Sequence, residues 1–273
     1  MPVPAIVDPV SGLKFYELSH RWGYNSPTFP GYEDVRIERI TYHAKHGVMT
    51  QKINAIMHVS THVNAPIHLI PGGKGVGENG MDAFFGSGVI LGIPKQKWEL
   101  VTRADLEKAS PAIEPEDIVI INTQWHHRYS DSQEYFGHAP GLSKEAAEWL
   151  VDKKVKLVGV DSATVDHPLA TSLGPHRNGP QIKDLAQQYK DATGKDAKKD
   201  FPDWNVAHKT LLKANIPTIE NCGGDLDEVT GKRATFHAYP WLWRDGDACV
   251  IRLVAFFDTT GNYRLESGER VVG

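Results

Sequence analysis

Cysteine is almost absent: Cys222 and Cys249 are the only two in 273 residues. Two thiols so far apart make neither a disulfide framework nor a thiolate zinc site, and a reducing compartment suits the chain. Long apolar runs are missing too. The longest, such as 118–121 and 253–257, fall far short of the ~20 residues that a membrane-spanning helix needs. Neither sign of charge dominates, with 34 acidic and 30 basic side chains and a formal net charge of -4. That is no footprint for nucleic acid or an anionic membrane. The amino-terminal stretch MPVPAIVDPV lacks the basic start and continuous apolar core of a secretion signal, so a cytoplasmic location is expected. A composition 40% hydrophobic and 23% charged excludes disorder across the whole chain.

Histidine, by contrast, is plentiful, at thirteen residues, and it is the side chain most often recruited for metal binding and for proton transfer near neutrality. Strand-like runs bounded by turn residues fall at 35–43, 50–58, 88–93, 118–123 and 156–161. Helical patterns fall at 102–109, at 143–153 behind Ser143 as N-cap, and at 203–214 behind Asp203. Strands and helices alternate in the second half, which predicts a mixed α/β fold in one domain over residues 1–273. The lysine-rich stretch 183–200 reads as a solvated helix or surface insertion, or as a mobile lid.

The chemistry concentrates in residues 58–68, HVSTHVNAPIH. His58, Ser60, His62, Asn64, Pro66 and His68 take the even positions, while Val59, Thr61, Val63, Ala65 and Ile67 take the odd ones. Period-two alternation gives one chemical face and one core face. Four residues of straight strand span about 13 Å, close to the limit at which two imidazoles can share one ion. If His58 and His62 hold one metal, the backbone must turn near Ser60 and Thr61, where a helical turn could open. His208, on the predicted helix, and Glu220, at the end of a short strand over 216–219, form a second pair that could aim at the same point.

Together these residues resemble the metal-dependent hydrolases of the cyclase family, which includes bacterial kynurenine formamidase and isatin hydrolase. The family motif H-x-G-T-H-x-D-x-P-x-H stands here as His58, Ser60, Thr61, His62, Asn64, Pro66 and His68. Looser similarities follow in order: Leu18-Ser19-His20, Pro30-Gly31, Gly159-Val160-Asp161-Ser162 with Asp166, and His208 followed by Leu211-Leu212 and Glu220. The resemblance implies a compact domain of the swivelling β/β/α type, assembled as a homodimer or homotetramer. It implies that His58, His62 and position 64 are metal ligands, that His208 and Glu220 complete the site, and that His68 is the catalytic acid/base.

Two positions depart from that pattern. Serine replaces glycine at 60, which is mild if the backbone angles suit a residue with a side chain. Asparagine replaces aspartate at 64, and a neutral amide bridges two cations poorly. One tightly held divalent ion per chain, zinc or manganese, is therefore expected. Such an ion lowers the pKa of bound water to about 7. The expected function is hydrolysis of a small cyclic amide, aryl formamide or lactone. A lyase or dehydratase on the same scaffold, or a catalytically impaired binding homologue, remains open. Trp125 and Arg128, after a strand end, and Phe85 are candidates for substrate contact.

Overall fold

The computed structural model describes residues 6–261. The expected domain over 1–273 and the reading of the amino-terminal stretch extend beyond the described residues. The strands are β1 (Ile6–Val7), β2 (Lys14–Glu17), β3 (Arg36–Thr41), β4 (Thr50–Asn54), β5 (His62–Asn64), β6 (Phe85–Gly92), β7 (Leu100–Val101), β8 (Ile118–Asn122), β9 (Gly141–Leu142), β10 (Leu157–Val160), β11 (Thr218–Glu220), β12 (Lys232–His237), β13 (Ala248–Val250) and β14 (Val254–Phe257). The α-helices are α1 (His43–His46), α2 (Arg103–Lys108), α3 (Gln133–Gly137), α4 (Lys144–Asp152), α5 (Leu185–Thr193), α6 (Ala197–Asp200), α7 (Val206–Lys213) and α8 (Leu226–Val229).

Ten strands make one mixed sheet in the order β1-β2-β14-β12-β6-β8-β10-β11-β5-β13. Its centre, β6-β8-β10-β11, is parallel, and the flanks are antiparallel. β8 and β10 are buried throughout and, but for Asn122 at the end of β8, apolar, as central parallel strands covered on both faces must be. Alternate residues go to different cores. Ile118, Ile120 and Leu157 join Val63, Phe236, Cys249 and Ala255 from strands on both flanks, so the sheet curls over that face. Val119, Ile121 and Val158 pack instead on Leu106, Leu150, Ala207 and Leu211 of α2, α4 and α7.

Capping explains where two helices begin. Ser143 Oγ accepts the Ala146 N–H at 3.1 Å, and Thr102 forms a reciprocal cap with Asp105. The third expectation is corrected. α7 begins at Val206, not after Asp203, because the buried Asp166 carboxylate accepts the Ala207 and His208 N–H groups at 2.8 and 3.1 Å. An acid from a distant loop thus supplies the cap that local sequence could not reveal, and it fixes the turn that carries His208. The stretch 183–200 folds into α5 and α6, with Leu185 and Tyr189 buried in a third core.

Candidate metal centre and its cavity

The carboxyl ends of the parallel strands, where α/β sheets place ligand sites, converge with β5 on one cavity. Strand register sets what meets there. β5 pairs antiparallel with β11 so that His62 lies opposite Glu220 and Asn64 opposite Thr218. Directly opposed residues share a face, so all four side chains leave the sheet on the side covered by α7. Val63 and Ile219 leave it on the other side, into the core. His208, on the first turns of α7, closes over the polar four.

Hydrogen bonding fixes the His62 ring. Its Nδ1 lies 2.8 Å from the Ser60 carbonyl oxygen, which only accepts, so the proton sits on Nδ1. Nε2 then faces Glu220 Oε2 at 3.2 Å. Neither His62 Nε2 nor Asn64 Oδ1 has a hydrogen-bond partner, although both are buried. Glu220 Oε1 accepts the Val165 N–H at 3.0 Å and lies 3.8 Å from His208 Nδ1. The other His208 nitrogen is engaged by Thr218 Oγ1 at 2.8 Å. Burial alone would raise the Glu220 carboxyl, but the adjoining His62 ring and the Val165 N–H hold it below the usual carboxylate range. Burial pushes His208 down to about 3, so its ring is neutral near pH 7.

The bend expected in the histidine segment occurs at Ser60, but it is not a helical turn. Ser60 adopts φ 58°, a left-handed conformation that favours glycine, and the chain continues directly into β5. The expectation that serine is mild there is corrected: the side chain sits where glycine is unstrained. Asn221 supports the turn, its Nδ2 donating to the Ser60 carbonyl oxygen at 2.9 Å while its Oδ1 accepts the buried Tyr135 hydroxyl at 2.6 Å. The turn brings the His58 and His62 rings to 5.3 Å between centroids.

His58 and His68 form an outer group, 4.1 Å between ring centroids. Asp247 joins them, a residue that sequence reasoning missed. Its Oδ2 accepts from His58 Nε2 at 2.9 Å and lies 3.9 Å from His68 Nδ1. The hydrogen bond from His58, with the His68 ring close by, holds the Asp247 carboxyl far below its ordinary range. Burial lowers His58 to about 4. With its Nε2 proton given to Asp247, neutral His58 keeps a lone pair on Nδ1.

The cavity measures about 250 Å3, and its lining includes His58, His62, His68, His208 and Glu220 at one end and Phe29, Tyr32, Phe136 and Trp204 around it. Asn64 lies beneath, fully buried.

Residues 16–167 match the family model described as "Putative cyclase". The chain belongs to the cyclase family. That matched span holds the whole histidine segment and Asp166 but stops short of His208 and Glu220. This cyclase-family chain is 26% identical to the kynurenine formamidase of Erythrobacter litoralis over 246 residues, covering 89% of this chain and 94% of that one. It is 25% identical to the kynurenine formamidase of Bacillus anthracis over 242 residues, 88% and 96% of the two chains. Its fold is shared with isatin hydrolase A from Ralstonia solanacearum, with a TM-score of 0.71 at 20% identity over 89% and 92% of the chains.

The family fold does not bring every expected residue to the cavity. Trp125 is buried, its indole N–H given to the Tyr135 carbonyl at 2.9 Å. Arg128 stacks on that indole at 4.6 Å and pairs with Glu134. Phe85, on β6, packs against Tyr239 and Phe256. None of the three is among the residues lining the cavity, so the structure does not bring them together with the histidine cluster as expected. Thr218 was within reach of sequence reasoning, since it stands two residues before Glu220 on the same strand face. Asp247 was not, because only the pairing of β13 with β5 brings it to His58.

Proposed function

We propose that the protein is a metal-dependent hydrolase of a small amide, with an aryl formamide or a cyclic aryl amide as the substrate class. The observation that carries this reading is the convergence of buried donor atoms, His62 Nε2 on Glu220 Oε2 at 3.2 Å beside His208 and Asn64, with His62 Nε2 and Asn64 Oδ1 lacking a hydrogen-bond partner among the described residues. The donor set fits a divalent cation: His62, His208, Glu220 and the partnerless Asn64 carbonyl, with His58 as a further imidazole. Mixed nitrogen and oxygen donors suit zinc or manganese. When bound, such an ion acidifies a water molecule and polarises a carbonyl oxygen.

The remaining chemistry belongs to the chain. His68 takes the proton that water gives up as its oxygen attacks the substrate carbonyl carbon. It returns that proton to the leaving nitrogen as the carbon–nitrogen bond breaks. Asp247 holds the His58 ring in one tautomer, as carboxylates behind ligating histidines do. The Tyr135-Asn221-Ser60 chain fixes the His62 tautomer in the same way. Phe29, Tyr32, Phe136 and Trp204 give the cavity aromatic walls, suited to one small ringed molecule. Glu220 balances one ion's charge only in part, and Asn64 adds none, which favours a single ion over two.

Hydrolysis in oxygen-18 water, followed by mass spectrometry of the products of an aryl formamide and of isatin, tests the reaction class. Label entering the released or newly formed carboxylate is expected; turnover without label would mark a lyase. His62→Ala is expected to lose the ion of this centre and turnover.

The hairpin β3–β4 leaves Ile40, Tyr42, Val48, Met49 and Ile53 exposed. Exposed apolar side chains on a two-stranded ribbon favour burial against a second copy, and a homodimer or homotetramer in the cytoplasm is our reading. Light scattering of Ile40→Glu/Ile53→Glu should report a smaller species than the parent chain; an unchanged mass counts against the hairpin as the contact.

A further inference from the structure

A second gathering of metal-ligating atoms stands away from this cavity. The helical turn Trp125–Arg128, just after β8, carries His126 and His127, and α8 brings Asp227 to both. Their ligand atoms lie within 4.8 Å of one another. His127 Nε2 is 2.6 Å, and His126 Nε2 3.4 Å, from Asp227 Oδ2. Ligands of a tetrahedral zinc ion with bonds of about 2.0–2.1 Å sit about 3.3 Å apart, so the three atoms need little rearrangement.

His126 is no ordinary surface imidazole. It is 7% exposed, and its Nδ1 lies 3.1 Å from the Asp161 carboxylate, which only accepts. The Nδ1 proton is therefore given to Asp161, and Nε2 is the atom that faces Asp227. That Nε2 is buried and has no hydrogen-bond partner. Asp161 is fully buried and pinned by the Thr123 N–H and hydroxyl and by the N–H groups of Trp125 and His126. A pinned carboxylate behind an imidazole fixes its tautomer and raises its basicity as a ligand. Asp227 is oriented as well, since Asn122 Nδ2 donates to its Oδ1 at 3.0 Å and leaves Oδ2 to the rings.

We propose that His126, His127 and Asp227 form a second divalent-cation site for a zinc-like transition ion, sharing no ligand with the first. Three protein ligands leave a coordination position open, in the wall of a separate cavity of about 770 Å3 that Arg21 and Arg252 also line. The ion fastens the turn after β8 to α8. Behind that turn, Asp161 leads into Ala163 and Thr164, which line the first cavity, so the clamp braces one wall of the proposed active site from outside.

The test uses the full chain with the first centre disabled by His62→Ala/Glu220→Gln, stripped with chelator, equilibrated with zinc and freed of unbound ion. Elemental analysis is expected to find about one zinc per chain, falling below roughly 0.2 when His127→Ala or Asp227→Asn is added, as loss of one of three ligands requires. Both are partly exposed side chains, and circular dichroism checks that each variant folds. Zinc anomalous diffraction on the parent should place a peak among the three residues. Zinc content unchanged by His127→Ala and Asp227→Asn, or no peak there under excess zinc, would overturn the proposal.

Discussion

His62 and Glu220 face each other across two antiparallel strands with Nε2 and Oε2 3.2 Å apart, and the imidazole proton is committed to the Ser60 carbonyl on the opposite side of the ring. That relationship follows from strand register and one left-handed residue.

Asn64→Asp tests the charge balance at this point. Aspartate at this buried position adds one negative charge and a bridging donor. In a His127→Ala background, which empties the His126/His127/Asp227 site, metal content is expected to rise from about one ion per chain toward two, read by elemental analysis after equilibration with zinc. Unchanged content would mean that the neutral amide of Asn64 does not limit the number of ions.

His68→Ala separates binding from turnover. His68 stands in the outer group, its ring 5.6 Å from that of His208, and the proton-transfer role predicts a loss of about 10²–10⁴-fold in kcat with metal content unchanged. Turnover at the parental rate would refute the acid/base role.

Stability of the chelator-treated protein should fall as pH drops from about 6.5 toward 4. Burial lowers His20 and His58 to about 4 and His167 and His208 to about 3. In that window the unfolded chain binds protons at these rings and the folded chain does not, so stability rises with pH. Asp166, raised by burial to about 7, and His126, raised by Asp161 and Asp227, act in the opposite direction, but they are two groups against four. Thermal midpoints at pH 7 and pH 5 check the sign, and a higher midpoint at pH 5 contradicts it.

Ser60→Gly relieves the left-handed strain, worth ~1–2 kcal/mol, and adds ~0.5–1 kcal/mol of backbone entropy to the unfolded chain. A net gain of up to about 1 kcal/mol is expected in denaturant unfolding, with metal content unchanged. A loss larger than about 1 kcal/mol would mean that the Ser60 hydroxyl, 3.5 Å from the His20 carbonyl, matters more than the strain.

Much of the fold and the site was legible in the sequence because it rests on short-range patterns. Alternation over 58–68 exposed the two faces, apolar runs marked β8 and β10, and Ser143 announced α4. What stayed hidden depends on long-range pairing. Asp247 reaches His58 only through β13, Asp166 caps α7 across a separation of 41 residues, and the aromatic walls come from three separate segments. Trp125 and Arg128 misled because a position after a strand end says which end of the sheet a residue occupies, not which way its side chain turns.

The most direct test is anomalous diffraction from crystals soaked in manganese or zinc. A peak bounded by His62 Nε2, Glu220 and His208, absent from His62→Ala crystals treated alike, is the predicted result. Excess ion with no density among those three side chains would contradict a metal centre at this position.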